Sequence, residues 1–322
     1  MATALRSSHS GTRMPDRELA RVFHREIAPH IEALEAERRK GGARFMTTAV
    51  AFACAIMILL GVLWPLDPGW AAVATVFALA IGIGVLGSQQ RKFRHRVRDL
   101  VMPAICKIAG DLRHSTGDAP AIPFDDLERL GLLGNHNRRT IDDVFEGRHR
   151  DTGFVMAEAR LRYRSHGRRS RTRTVFRGLI FAIEVPREIP ARILIARDSG
   201  TIGNWLKGWL KGFSGLQRVS FPHPEFEKLF AVYSDRAAVA RDTISPTMCE
   251  ALVALAEGHQ GRPIQGAFLG RRFYVTMPKR GDQFRLGSLF RSLDGLKDEA
   301  ERVLEDVRIV HRVIDTLHGE HR

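Results

Sequence analysis

Hydrophobic and polar positions divide this chain most sharply between Phe45 and Gln90, where one charged side chain, Asp67, sits between Pro65 and Pro68. The uncharged runs on either side, 45–64 and 69–90, each reach about 20 residues. As a helix, about 20 residues cover roughly 30 Å, the thickness of a bilayer's hydrocarbon core. The pattern predicts a transmembrane helical hairpin over 45–90. It lies too far from the N-terminus, and is too long, for a cleaved signal peptide.

The flanks follow other periods. In 1–44, a Ser/Arg-rich tail gives way at Asp16 to an amphipathic repeat of Leu19, Phe23, Ile27, Ile31 and Leu34. That helix is expected to end at Arg38, Arg39 and Lys40, before Gly41 and Gly42. Residues 91–119 read as a basic juxtamembrane helix and connector. Its helix runs to about 114 with Phe93, Val97, Leu100, Val101, Ile105 and Ile108 on one side and a kink at Pro103. A Gly/Pro-rich connector at 116–123 leads into 120–322, which reads as a cytoplasmic α+β domain.

Within that domain a short helix is expected at 124–133. Val155, Ala157, Ala159, Leu161 and Tyr163 then alternate with polar residues, the period of a half-buried strand. A polar loop at 165–170 turns this strand into a second at 173–185, and a third follows at 192–196. Further strands are expected at 216–221 and 231–233, with a hairpin at 264–269 and 271–277. Helices are expected from Glu225 and from Ser245-Pro246, where Ser caps and Pro takes the first helical position. A long C-terminal helix over 287–318 carries Leu289, Leu293, Leu296, Ala300, Val303, Val307, Val310, Ile314 and Leu317 at heptad spacing. That seam suits either packing across the domain's own sheet, the favoured reading, or a homodimer. The fold class is therefore α+β, with a mainly antiparallel sheet and a long C-terminal helix, attached to a two-helix transmembrane hairpin.

Charge changes this picture in two places. The formal charge is +14. Segment 91–98 holds five Lys/Arg and no acid, and segment 148–177 holds ten Arg against Asp151 and Glu158, so the rest of the chain is close to neutral. Arg38, Arg39, Lys40 and Arg44 precede the first span, Arg91, Lys92, Arg94, Arg96 and Arg98 follow the second, and the connecting turn has no Lys or Arg. This bias predicts both termini on the cytoplasmic side of a bacterial inner membrane. Anionic lipid headgroups, or a protein partner, are the expected contacts of the basic face, with lipid or another anion at Arg91, Lys92, Arg94, Arg160, Arg162, Arg164, Arg168 and Arg169. Trp205 and Trp209 lie on the apolar arc of a helix expected at 201–213, which suits either the membrane interface or the core. Tyr163 alone among the arginines argues against single-stranded nucleic acid, whose bases stack on aromatics.

Several segments resemble a bacterial family of two-span membrane proteins known only as a domain of unknown function. Phe23, Ile27, Pro29, Ile31, Leu34, Glu35 and Arg38 are similar to its opening motif, and 174–182 (TVFRGLIFA) to a later segment. The most specific block is PEFEKLFAVYSDRAAVAR at 224–241, followed by SPTM at 245–248. Its motif residues here are Pro224, Glu225, Phe226, Glu227, Tyr233, Asp235 and Arg241. His223, Arg236 and Asp242 depart from the family pattern. The resemblance implies the architecture and no activity.

Candidate chemistry is sparse. His223, Glu225, Glu227, Asp235 and Arg241 form the best local constellation, yet no second His stands at metal-ligand spacing. Asp235 and Arg241 are expected to pair structurally. Gly200 and Gly203 lack the rest of a phosphate loop, and Ser-elbow and HExxH motifs are absent. Cys54, Cys106 and Cys249 show no paired spacing and read as free thiols. No cofactor or metal is expected. The sequence thus favours a membrane-held binding or assembly module, with a membrane-tethered enzyme using residues 223–241 as the alternative.

Overall fold

In the computed structural model the structure describes residues 25, 28–110, 112–165, 167, 170–197, 215–258, 263–279, 288–290 and 295–318. The helix expected at 201–213, with Trp205 and Trp209, lies outside them, as do Arg168 and Arg169. The chain divides into two compact units. One takes in residues 1–108 and 285–301, the other 109–284 and 302–322.

The first unit is built on two helices, α1 (Ala28–Leu63) and α2 (Pro68–Ile108). At 1.5 Å per residue they measure about 54 and 60 Å, longer than a bilayer core requires. The break expected at Gly41 and Gly42 does not occur. Two glycines cost a helix about 1 kcal/mol each, and good helix formers on both sides outweigh that. Likewise the second span runs unbroken into the basic segment, and α2 stops at Ile108 rather than near 114. Asp67, the one acid in the apolar stretch, accepts the backbone N–H of Gly69 at 2.7 Å and caps the start of α2. Gly82 lies against Phe52, where an added Cβ would sit 3.3 Å from the ring, so the small face of α2 there packs on α1. Beyond the apolar runs the pair continues, with Arg96 bonded to Glu37 at 3.1 Å and Phe93, Val97, Val101 and Ile105 buried.

The second unit is a mainly antiparallel sheet with helices. Its strands are β1 (Arg113–Ser115), β2 (Arg138–His149), β3 (Thr152–Arg164), β4 (Thr172–Arg197), β5 (Gln217–Val219), β6 (Phe230–Ser234) and β7 (Gln265–Pro278). The order is β1-β2-β3-β4-β6-β5, with β7 also on β4. Every pair is antiparallel. The helices are α3 (Phe124–Leu130), α4 (Pro224–Leu229), α5 (Ala237–Thr243), α6 (Pro246–Gly258) and α7 (Leu296–Leu317).

Several expected boundaries are corrected. The strands expected at 173–185 and 192–196 are one strand, β4, of 26 residues. Its prolines, Pro186 and Pro190, fall between the end of β3 pairing at Ile183 and the start of β6 pairing at Ile193, where no ladder donor is needed on that side. The hairpin expected at 264–277 is also one strand, bent at Gly270, whose φ is 60°. β2 went unforeseen because a bulge between Ile141 and Val144 breaks its alternation. The short elements β1 and α5 were likewise not foreseen. α3 ends at Leu130, with Gly131 as its left-handed cap. α7 begins at Leu296, and Leu289 and Phe290 form a turn instead of its first residues.

One sheet face carries Val144, Ala157, Ala159, Leu161, Ile180, Ala182, Leu194 and Ala196, packed with Phe124, Leu127 and Leu133. Towards the other face come Phe154 and α7 from Val303 onward, which buries Val303, Val307, Val310 and Ile314 within the chain. The heptad seam is thus spent on internal packing over those positions. At Gly178 an added Cβ would lie 2.1 Å from the Met277 carbonyl oxygen, where β4 and β7 meet. Replacing Gly178 by Ala should therefore cost about 2 kcal/mol or more. Thermal unfolding of the detergent-solubilised chain, followed by circular dichroism, should show a lower Tm.

Candidate functional site

The β2–β3–β4 ladder decides where the arginines stand. On β3, Arg160, Arg162 and Arg164 share one face, alternating with the buried Ala159 and Leu161. Register sets Arg138 of β2 directly opposite Arg162, and Arg177 of β4 directly opposite Arg160. Opposed side chains in an antiparallel pair have Cβ atoms about 5 Å apart, and like charges there repel. Sequence reading found the β3 arginines but missed Arg138, because β2 itself was not foreseen. Further inward the same face reaches Glu158, which is buried.

The outer end of this ladder is firmly built. The Asn137 side chain accepts the Arg164 N–H and donates to the Arg164 carbonyl, both at 2.8 Å, and so extends β2–β3 pairing past Arg138. Arg164 donates through Nε to Ser170 at 2.8 Å. Arg162 reaches the Thr140 hydroxyl at 3.5 Å, and its Nε is shielded from water with no acceptor among the described residues. On the reverse face the Arg173 guanidinium stands 5.5 Å over the Tyr163 ring. Arg91 and Lys92 are exposed and Arg94 half-buried on α2, in the other unit.

The constellation at 223–241 is used for structure. His223 accepts the Phe226 N–H at 3.2 Å through Nδ1 and caps α4, with Pro224 at the first helical position. Glu227 accepts the Phe221 N–H at 2.9 Å and faces Arg218 at 3.5 Å. Asp235 accepts both the N–H and the Nε of Arg192, at 2.9 and 3.0 Å. Its partner is thus Arg192 on β4, rather than the expected Arg241, which is exposed. Phe226 is fully buried, Tyr233 half-buried and Glu225 exposed. Burial, followed by the charges of Glu227 and Glu250, pushes the Cys249 thiol up to about 11, which removes it as a nucleophile near neutral pH. Among the described residues no group of three or more His, Cys, Asp or Glu could hold a metal ion.

Two histidine networks were not foreseen. His136, whose side chain is fully buried, accepts from Arg139 Nε at 2.9 Å and lies 2.8 Å from Glu128, tying β2 to the end of α3. At the β2–β3 turn, the His149 ring stacks on His311 of α7 at 4.1 Å between centroids. Asp315 binds both His149 and Arg150 at 2.9 Å, and His318 bonds Thr152 at 2.6 Å. Burial, and then the neighbouring His149, lower the His311 pKa to about 4, with Asp315 acting in the opposite direction.

Residues 174–318 match the profile of a family described as "Protein of unknown function (DUF3137)", so this segment is similar to a domain of unknown function. No curated protein matches this chain significantly. Among solved structures, the crystal structure of the mycobacterial trehalose monomycolate transport factor A is similar at a TM-score of 0.35 and 12% identity. That likeness covers 66% of this chain and 92% of that one. At such a score it carries no argument about fold or function.

Replacing Glu227 by Ala should cost about 1–2 kcal/mol, because the Phe221 N–H loses its acceptor. Urea unfolding in detergent should show the loss, while the variant still fractionates with membranes. The His311 effect has a defined sign. In the unfolded chain this imidazole takes up its proton near pH 6.5, whereas the folded ring refuses it until about pH 4. Stability should therefore fall as pH drops from about 6.5 towards about 4, and His311 should contribute no slope above 6.5. Unfolding midpoints of wild type and His311→Leu at several pH values should show a shallower fall in the variant.

Proposed function

We propose that this chain is an integral protein of the bacterial inner membrane that holds a cytoplasmic α+β binding or assembly module at the membrane surface. The observation that carries this reading is where apolar surface is exposed. Among the described residues the large exposed hydrophobic side chains run from Met46 to Val85, with Phe290 as the one exception. A water-soluble domain rarely shows so much contiguous apolar surface, and two helices here are long and apolar enough to cross a membrane. Trp64 and Trp70, both exposed, flank the turn, where indoles favour the interface. The Lys/Arg bias at the outer ends of the hairpin supports an orientation with both termini in the cytoplasm.

For the module, the arginines at the end of the β2–β3–β4 ladder support a surface for anionic lipid headgroups. Each such residue near an anionic leaflet contributes about 1 kcal/mol. A binding role also gains support from residues 223–241, where His223, Glu227 and Asp235 are already committed to backbone donors.

Alkaline carbonate should leave the chain in the membrane pellet, and protease added to intact spheroplasts should spare both termini. Release by carbonate would overturn the integral reading, and cleavage of the α+β module from outside would overturn the orientation.

A further inference from the structure

We infer that Arg138 and Arg162 form a clamp for a phosphomonoester, and that the terminal phosphate of an anionic lipid is its ligand. This rests on the reading of the arginine face as a surface for anionic lipid, and it names one headgroup chemistry for that face.

Arg138 and Arg162 are direct cross-strand partners on one face of the sheet. Two guanidinium groups rooted about 5 Å apart destabilise a ladder unless something negative lies between them. Nothing in the sequence forces this pairing on the strands, since a Thr or Glu at 138 would satisfy the same ladder. Arg164 stands two residues further along β3, on the same face, with its backbone fixed by Asn137 and its Nε held by Ser170. The three cations therefore stand on backbone that needs no rearrangement to receive an anion. The shielded Nε of Arg162, with no acceptor among the described residues, leaves that side chain with donor capacity to satisfy.

The class of anion follows from charge and geometry. A guanidinium presents parallel N–H donors that fit two oxygens of one phosphate. Two opposed forks need at least three oxygens and close to two negative charges for neutrality. A phosphomonoester has three terminal oxygens and carries about −1.5 to −2 at neutral pH. A phosphodiester offers two free oxygens and one charge, so it engages one fork and leaves the other uncompensated. A carboxylate has the same shortfall. The site should thus prefer a terminal phosphate over the diester headgroups that make up most anionic lipid.

The test uses the full chain reconstituted in phosphatidylcholine nanodiscs, with its capture of added vesicles read by flotation. Vesicles contain phosphatidylcholine with either phosphatidic acid, a monoester, or phosphatidylglycerol, a diester, at matched surface potential. We expect phosphatidic acid vesicles to bind about tenfold more tightly, the value of roughly one good charge-assisted contact. Arg162→Lys should abolish that preference while leaving capture of phosphatidylglycerol vesicles within about twofold, whereas Arg138→Gln should abolish it and also weaken phosphatidylglycerol capture about fivefold, the loss of one charge. Arg162→Lys keeps the charge and removes the fork, so its loss of preference separates geometry from net charge. Circular dichroism of each variant should match wild type. Equal capture of the two vesicle types by wild type would overturn the clamp and leave the anionic-surface reading intact. Capture of neither would overturn both. Glycerol 3-phosphate competing at the same concentration as lipid phosphate would support the clamp chemistry and overturn lipid as its source.

Discussion

β4 is paired along most of its 26 residues, to β3 and then β6 on one side and to β7 on the other, and on both sides at once over 178–183 and 193–195. Unpaired backbone groups in a covered sheet are costly, so this strand determines where its neighbours must lie. Between Ile183 and Ile193, where the side facing β3 and β6 lacks a partner strand, side chains take up backbone donors. Asp235 takes the Arg192 N–H, while the Glu184 carboxylate takes the Gly153 N–H. Gly178 fits because a Cβ there would strike the β7 backbone. The arginine ladder is a consequence of the same pairing, since the registers of β3 on β4 and of β2 on β3 bring Arg177 opposite Arg160 and Arg138 opposite Arg162.

What could be read from the chain depended on the range of the interaction. Spanning helices are a local property of composition and length, and α1 and α2 contain both apolar runs. Period two over 154–164 disclosed β3 for the same reason, and the caps at Ser245 and Pro246 disclosed α6. Signals failed where a distant partner overrode a local rule. Pro186 and Pro190 suggest a break, yet they occupy positions where β4 needs no donor on one side. The alternation of β2 is broken at its bulge, where Asp143 is buried against His114 at 2.7 Å. Gly41 and Gly42 suggest a helix end, but the sequence on either side propagates the helix through them.

The motif block at 224–241 shows a similar separation between chemistry and structure. By residue type it resembles the start of a metal or acid–base site. In the fold its polar members each answer a backbone or cationic group: His223 caps α4, Glu227 holds the chain before Pro222, and Asp235 closes β4. Such roles need the same side chains that catalysis needs, so composition alone does not distinguish them. Partner geometry does, because a carboxylate already bonded to a main-chain N–H loses stability if it is diverted to a substrate.

The hairpin and the arginine face, taken as proposed, account for each other energetically. Three or four arginines near an anionic leaflet supply about 3–4 kcal/mol, equivalent to a dissociation constant near 1 mM. A free domain with that affinity would seldom be bound. A short covalent tether to the same bilayer imposes an effective concentration in the millimolar range, enough to occupy the site much of the time. The basic face then needs no great intrinsic affinity, and what it can add is selectivity among headgroups that are already within reach. Selectivity is what the opposed arginines provide, because a pair of forks distinguishes two charges and three oxygens from one charge and two, which a diffuse basic patch cannot do.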